Sequence, residues 1–194
     1  MPKVAFKGST LLNPVPAVLI TSKKEKTINV FTAAWVGTAC TKPPIITVSI
    51  RPERLSYDFI KSTKEFTVNL PTVKLVKTVD FCGVKSGRDI DKIKKCNLTL
   101  EAGTFIDVPS IKECPVSLEC KVKQIIPLGS HELFIAEVIQ VNVEKSLIHA
   151  DGKIHFEEAD LICYSHGEYF SVDNNPLGKF GYSVRKKSIK GKIK

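Results

Sequence analysis

The segment Ser-Ile-Arg-Pro-Glu-Arg-Leu-Ser, residues 49–56, sets Arg51, Arg54 and Ser56 where an apolar run gives way to a helix-like one. Two guanidinium groups, a hydroxyl and unpaired helix N–H groups are the donors that hold a phosphate. The same three residues also suit a surface arginine pair followed by an N-cap serine. Upstream, Thr32, Ala33 and Ala34 precede Trp35, the one tryptophan of the chain. Small side chains there leave main-chain N–H and C=O groups open to a flat ligand. Trp35 either flanks such a ligand or packs as a core ring among the alanines. Taken together, the two segments describe a pocket for something flat with a phosphate tail.

Other reactive side chains give weaker signals. His149 and His155 flank a short Asp-Gly-Lys turn, where surface or structural roles are expected, and His166 sits in a Ser-His-Gly turn. The six cysteines, at 40, 82, 96, 114, 120 and 163, form no CxxC pair. They read as reduced, mostly buried thiols, and no metal site is expected. The chain lacks GxGxxG, GxxxxGK[ST] and HExxH, so neither a resident dinucleotide domain, a P-loop nor a zinc protease is indicated.

The elements that must position these groups are mostly strands. PAVLITS and TINVFTA, joined by the charged turn KKEK, read as a hairpin, and IITVSIR and EFTVNL as further strands. SLECKVKQIIP and HELFIAEVIQVNV form a second hairpin around LGS. DLICYSHGEYFSV reads as two short strands around Ser-His-Gly. Helical patterns are few: SYDFIKSTK, with Tyr57, Phe59 and Ile60 on one face; TVKLVKTVDFCG, with Val73, Val76 and Val79; and the short RDIDKIKKC. Many strands and few short helices predict an antiparallel barrel with helical insertions.

Of the formal charge of +9, six positive residues lie in the last ten, RKKSIKGKIK, which contain no acid. The charge is thus largely that of a solvated tail. Exposed aromatics interleaved with Lys and Arg are absent from the barrel strands, so no nucleic-acid partner is expected. No stretch approaches the length of a membrane span, so no membrane partner is expected either. The N-terminal MPKVAFKGST has no apolar core of the secretory kind, and a cytoplasmic protein is expected. One domain over residues 1–182 and a basic tail over 183–194 is the expected organisation.

Six segments now stand in order: N-x-x-T-A-A-W from Asn29, C-x-x-P-P from Cys40, S-I-R-P-x-R-x-S from Ser49, E-F-x-V-N-L-P from Glu65, S-G-R-x-x-D-K from Ser86 and G-S-H-E-L-F-I-A-E-V from Gly129. In that order they resemble the flavin reductase-like, FMN-binding split-barrel family, and its flavoredoxin-type branch in particular, from about residue 8 to 182. The resemblance implies a mainly β fold, an antiparallel Greek-key split barrel with a few short helices. It implies FMN as cofactor, held by Asn29, Thr32, Ala33, Ala34, Trp35, Cys40, Ser49, Ile50, Arg51, Arg54 and Ser56. Thr32–Trp35 would contact the ring through main chain, and Arg54 and Ser56 the phosphate. His131, at the head of a strand facing the flavin, is the candidate catalytic residue, with a structural role as the alternative. An imidazole there suits proton supply near neutral pH. The family often has Ser where this chain has Ala34, so one hydroxyl toward the flavin is missing. The implied function is an NAD(P)H-dependent flavin or small-molecule reductase. The alternative is an FMN electron carrier reduced by a protein partner. In either case a homodimer is expected.

Overall fold

The computed structural model describes residues 1–184; the basic run from 185 lies outside the described residues. Seven antiparallel strands form the main sheet, in the order β3 (Thr27–Ala33), β2 (Val18–Lys24), β6 (Glu65–Leu70), β9 (Val116–Pro127), β10 (Glu132–Val143), β5 (Pro44–Ile50) and β4 (Val36–Thr41). The hairpins β2–β3, β4–β5 and β9–β10 are each local. The chain leaves β5 at one side of the sheet and re-enters through β6 beside β2. That crossing gives the Greek-key order of a split barrel, and the curled sheet brings β3 near β5 without pairing them. Two bulges, at Ile135/Ala136 and Val138/Gln140, interrupt the long β9–β10 ladder, and bulges of this kind bend and twist a strand.

Strand β2 explains its own apolar run. Val18 and Ile20 face the barrel interior with Phe66, Val68 and Phe134, while Ala17 and Leu19 face a second core with Val79, Cys82 and Ile162. A strand buried on both faces loses its polar alternation. The second core is the seat of α2 (Val76–Val84), preceded by a 3₁₀ turn at Val73–Leu75. Of the three valines expected on that helical face only Val79 is buried; Cys82, one turn on, is its partner. Helix α1 (Leu55–Thr63) buries Tyr57, Phe59 and Ile60 as expected, and α3 (Lys92–Lys95) is a single turn capped by Asp91. Short pairs complete the fold. β1 (Val15–Pro16) joins β11 (Ile162–Ser165) and β12 (Glu168–Ser171), and β7 (Leu100–Glu101) joins β8 (Ser110–Ile111). Among the described residues no helix is long and apolar enough to cross a membrane.

Candidate functional site

The ends of β3 and β5 meet the C-terminus of α2 and the β11–β12 turn around a cleft of about 470 Å³. Its wall is the run from Thr32 to Trp35. The Trp35 carbonyl accepts a hydrogen bond from the Ser49 N–H at 3.0 Å, which ties that run to β5. Trp35 is not a core ring: it is 50% exposed, and its indole lies 6.4 Å from the His131 imidazole, with the planes 22° apart. The two rings flank the cleft mouth together. His131 Nδ1 lies 2.9 Å from the Ser130 hydroxyl. The Thr32 hydroxyl, in contrast, donates to the Val79 carbonyl, so that side chain fastens β3 to α2.

A second cavity of about 220 Å³ adjoins the first and shares Phe31, Arg51, Arg54 and Val84 with it. Its chemistry follows from how α2 ends. The last carbonyls of a helix have no partner within it and carry its partial negative charge. Here side-chain cations meet them. Arg54 Nη1 donates to the Gly83 carbonyl at 2.8 Å, and Lys92 Nζ donates to the carbonyls of Cys82 at 3.1 Å and Lys85 at 3.2 Å. Lys92 is 3% exposed, and burial pulls its pKa down to about 8, with Arg54 opposing its charge as well. Arg51 is more open and, among the described residues, pairs with Glu53 alone, at 3.2 Å. Among the described residues no side chain caps the first turn of α1, whose Leu55 also lines this cavity.

Below the cations lies a buried polar cluster. Ser56 is fully buried, accepting from Asn29 Nδ2 at 2.8 Å and from the Ser22 hydroxyl at 2.7 Å. Its hydroxyl therefore faces the barrel side of α1, not the cavity. Asn29 lines the cavity, and the loop after α2 rests on it: a Cβ built on Gly87 would stand 2.1 Å from Asn29 Oδ1. Only glycine fits there, which explains the Gly of S-G-R-x-x-D-K. Arg88 of that motif turns outward to Asp58 at 2.9 Å.

Of the residues singled out from sequence, Thr32, Ala33, Ala34, Trp35, Ser49, Ile50, Arg51, Arg54 and His131 line the larger cleft. The Ile50 side chain itself packs in the barrel core. Asn29 lines the smaller cavity; Ser56 and Cys40 line neither. Cys40 stands exposed on β4, with its thiol toward the Lys42 carbonyl. Cys82, Cys114 and Cys120 are buried as expected, and burial pushes the Cys82 and Cys120 thiols up to about 12. Sequence reasoning missed Lys92 as a site residue, although it ends a recognised motif. Tyr164 and Tyr169, which close the far side of the cleft, were missed too. Nothing local marks them; the β11–β12 turn reaches the cleft only through tertiary packing.

The flavin reductase like domain model matches residues 11–170. The chain belongs to the flavin reductase-like family. A relative from Archaeoglobus fulgidus is 35% identical over 164 residues, covering 84% of this chain and 91% of that protein. Among solved structures, the flavoredoxin of Desulfovibrio vulgaris (Miyazaki F) superposes with a TM-score of 0.88 at 29% identity, covering 95% of this chain and all of that one. A flavoredoxin from Methanosarcina acetivorans superposes at 0.84 with 24% identity, covering 95% of this chain and 100% of that one, and so attests the shared fold. Within the family domain, both cavities and all their cationic groups fall inside the matched residues.

Proposed function

We propose that this chain is an FMN-binding flavoprotein oxidoreductase. It is read as an NAD(P)H-dependent reductase of flavin or of a small molecule. The observation that carries the reading is the pairing of a wide cleft, walled by small residues and one exposed indole, with a cation-rich cavity at one end. A flat ring with a phosphate tail fits that order. Arg54 and Lys92 would hold the phosphate, with Arg51 at the rim and Asn29 beneath. The first turn of α1 adds favourable N–H groups and dipole for an anion. The main chain of Ala33–Trp35 would run beside the ring, with Ser49 next to it on the same wall. The bound flavin supplies the redox chemistry, accepting electrons from a donor and passing them on. His131 is held by Ser130 through Nδ1, and its Nε2, without a hydrogen bond among the described residues, would position a substrate or hold a proton beside the ring.

The unit is proposed to span residues 1–182, with the rest a basic tail, and to work in the cytoplasm as a homodimer. Exposed apolar side chains of both terminal segments, such as Phe6, Leu12, Leu177 and Phe180, are surface that a second copy would cover. A second reading, an electron carrier reduced by a protein partner, is favoured by the likeness to a protein named flavoredoxin. One experiment separates the two. The purified protein is loaded with FMN and its visible spectrum recorded before and after NADH or NADPH is added without oxygen. Bleaching is the expected result for the reductase; a bound, oxidised flavin that neither donor bleaches would favour the carrier. Failure to take up FMN at all would refute both.

A further inference from the structure

Away from the cleft, residues 148–159 fold into a small structure of their own. Ile148 and Ile154 pair in an isolated antiparallel bridge. The Gly152 N–H donates to the His149 carbonyl at 2.9 Å, and Gly152 takes a φ of +74°, a conformation that suits glycine. A 3₁₀ turn at Phe156–Glu158 follows. This path gathers His149, His155 and Glu158, with one ligand-capable atom of each within 4.8 Å of the others.

The hydrogen bonds sort the nitrogens. His155 Nδ1 lies 2.9 Å from Glu157 Oε1, so the carboxylate holds the proton on that nitrogen and leaves the Nε2 lone pair. That Nε2 is shielded from water and makes no hydrogen bond among the described residues. Its nearest carboxylate oxygen, Asp151 Oδ1, stands 3.5 Å away, beyond a good bond. His149 Nε2 faces Glu158 Oε2 at 2.9 Å, and the two imidazoles stack with centroids 3.8 Å apart. A carboxylate behind an imidazole whose other nitrogen is unpartnered is the arrangement that orients a metal-ligating histidine. Two imidazoles with carboxylate oxygens suit zinc and its transition-metal neighbours, not the oxygen-seeking Mg²⁺ or Ca²⁺.

We propose that His149, His155 and Glu158 form a zinc-class divalent metal site, with Glu157 orienting His155. A cation there gives the His155 Nε2 its partner and replaces the proton between His149 and Glu158. The ligands come from both arms of the 148–159 loop, so the metal clamps that loop. The loop leads directly into β11, whose Tyr164 lines the cleft. The site is separate from the cleft and its adjoining cavity, and it runs against the sequence-based expectation of no metal site, which rested on the absence of CxxC and short Cys/His spacings.

The test uses the full chain, stripped with a chelator that is then removed. Zinc is titrated by calorimetry, and cobalt by visible absorption. The expected result is one zinc per chain and cobalt d–d bands without thiolate charge transfer. Both should be lost in the double variant His149→Ala/His155→Ala. Glu157→Gln, which keeps every ligand, is expected to weaken binding roughly 10- to 100-fold. No uptake by the wild type, equal uptake by the double variant, or cobalt bands showing thiolate ligation would each overturn the proposal. The cobalt spectrum is read on the wild type, so a poorly folding variant does not decide the outcome.

Discussion

Arg54→Ala is the sharpest probe of the proposed phosphate cavity. In the structure the guanidinium spends one N–H on the Gly83 carbonyl at 2.8 Å and has no carboxylate partner among the described residues. Its remaining donors are therefore available to an anion without breaking an ion pair. Loss of a charge-assisted hydrogen bond costs about 1.5–3 kcal/mol, which weakens FMN binding roughly 10- to 150-fold. Removing the Gly83 contact should also lower apoprotein stability, by about 1 kcal/mol. The two effects separate in a cycle of wild type and variant against FMN and riboflavin, which lacks the phosphate. Fluorescence titration gives the four affinities, and thermal unfolding the stability term. The variant should discriminate FMN from riboflavin far less than wild type does. Equal weakening of both ligands would mean that Arg54 acts only by bracing α2. Unchanged FMN affinity would remove it from the site altogether.

Lys92, Gly87 and Ala34 offer further tests of the same geometry. Lys92, held near a pKa of about 8 by burial, should lose charge as pH rises through that value, so the preference for FMN over riboflavin should fall there and Lys92→Met should flatten the profile. A phosphate beside it favours the charged form, so FMN binding near pH 8 should take up protons, seen as a buffer-dependent binding enthalpy. The unfolded chain, with lysine near about 10.4, binds more protons between these values, so this group makes stability rise with pH across that window. Gly87→Ala should destabilise the protein by roughly 1–3 kcal/mol in chemical denaturation, because its Cβ would displace Asn29 from Ser56. Ala34→Ser, restoring the hydroxyl often found in the family, should tighten FMN binding by about 0.5–1.5 kcal/mol in fluorescence titration, and no change would mean that this position faces away from the ring.

The sequence made most strands legible because each carried a local sign: KKEK and LGS between apolar runs mark the β2–β3 and β9–β10 hairpins. Strand β4 carried none. Val-Gly-Thr-Ala-Cys-Thr interleaves its β-branched residues with Gly and Ala, and its residues after Val36 are exposed on the edge of the sheet, so no alternation records its pairing. The cleft was legible where one segment supplies a continuous wall, as Thr32–Trp35 does. It was not legible where distant segments meet. Ser56 looked like an anion ligand because its neighbours are arginines. Burial instead commits its hydroxyl to Ser22 and Asn29, a fact that only the packing of α1 on β2 and β3 creates. Lys92 was hidden for the converse reason: a lysine in a basic stretch reads as solvated, and its burial depends on the end of α2 being there to receive it.

That dependence bears on how the cavity is prepared for an anion. Arg54, Lys92 and Arg51 would repel one another if gathered without counter-charge, and acids placed among them would compete with a phosphate. The chain instead uses the end of a helix. The carbonyls of Cys82, Gly83 and Lys85 hold Arg54 and Lys92 by dipole and hydrogen bond, and Glu53, the one acid among the described residues that line this cavity, engages Arg51 from an exposed position. Carbonyl partners are neutral, so an arriving anion strengthens the cluster without first displacing a carboxylate. The donors are already oriented, which lowers the ordering cost of binding. The same logic places α2 among the parts of the site, though its side chains supply little of the cleft wall. Its fastening through Thr32 and the closeness of Gly83 to the Thr32 Cβ, 3.4 Å from a built Cβ, keep the helix end over β3. Changes that shift this helix should therefore weaken phosphate recognition even where no cation is touched.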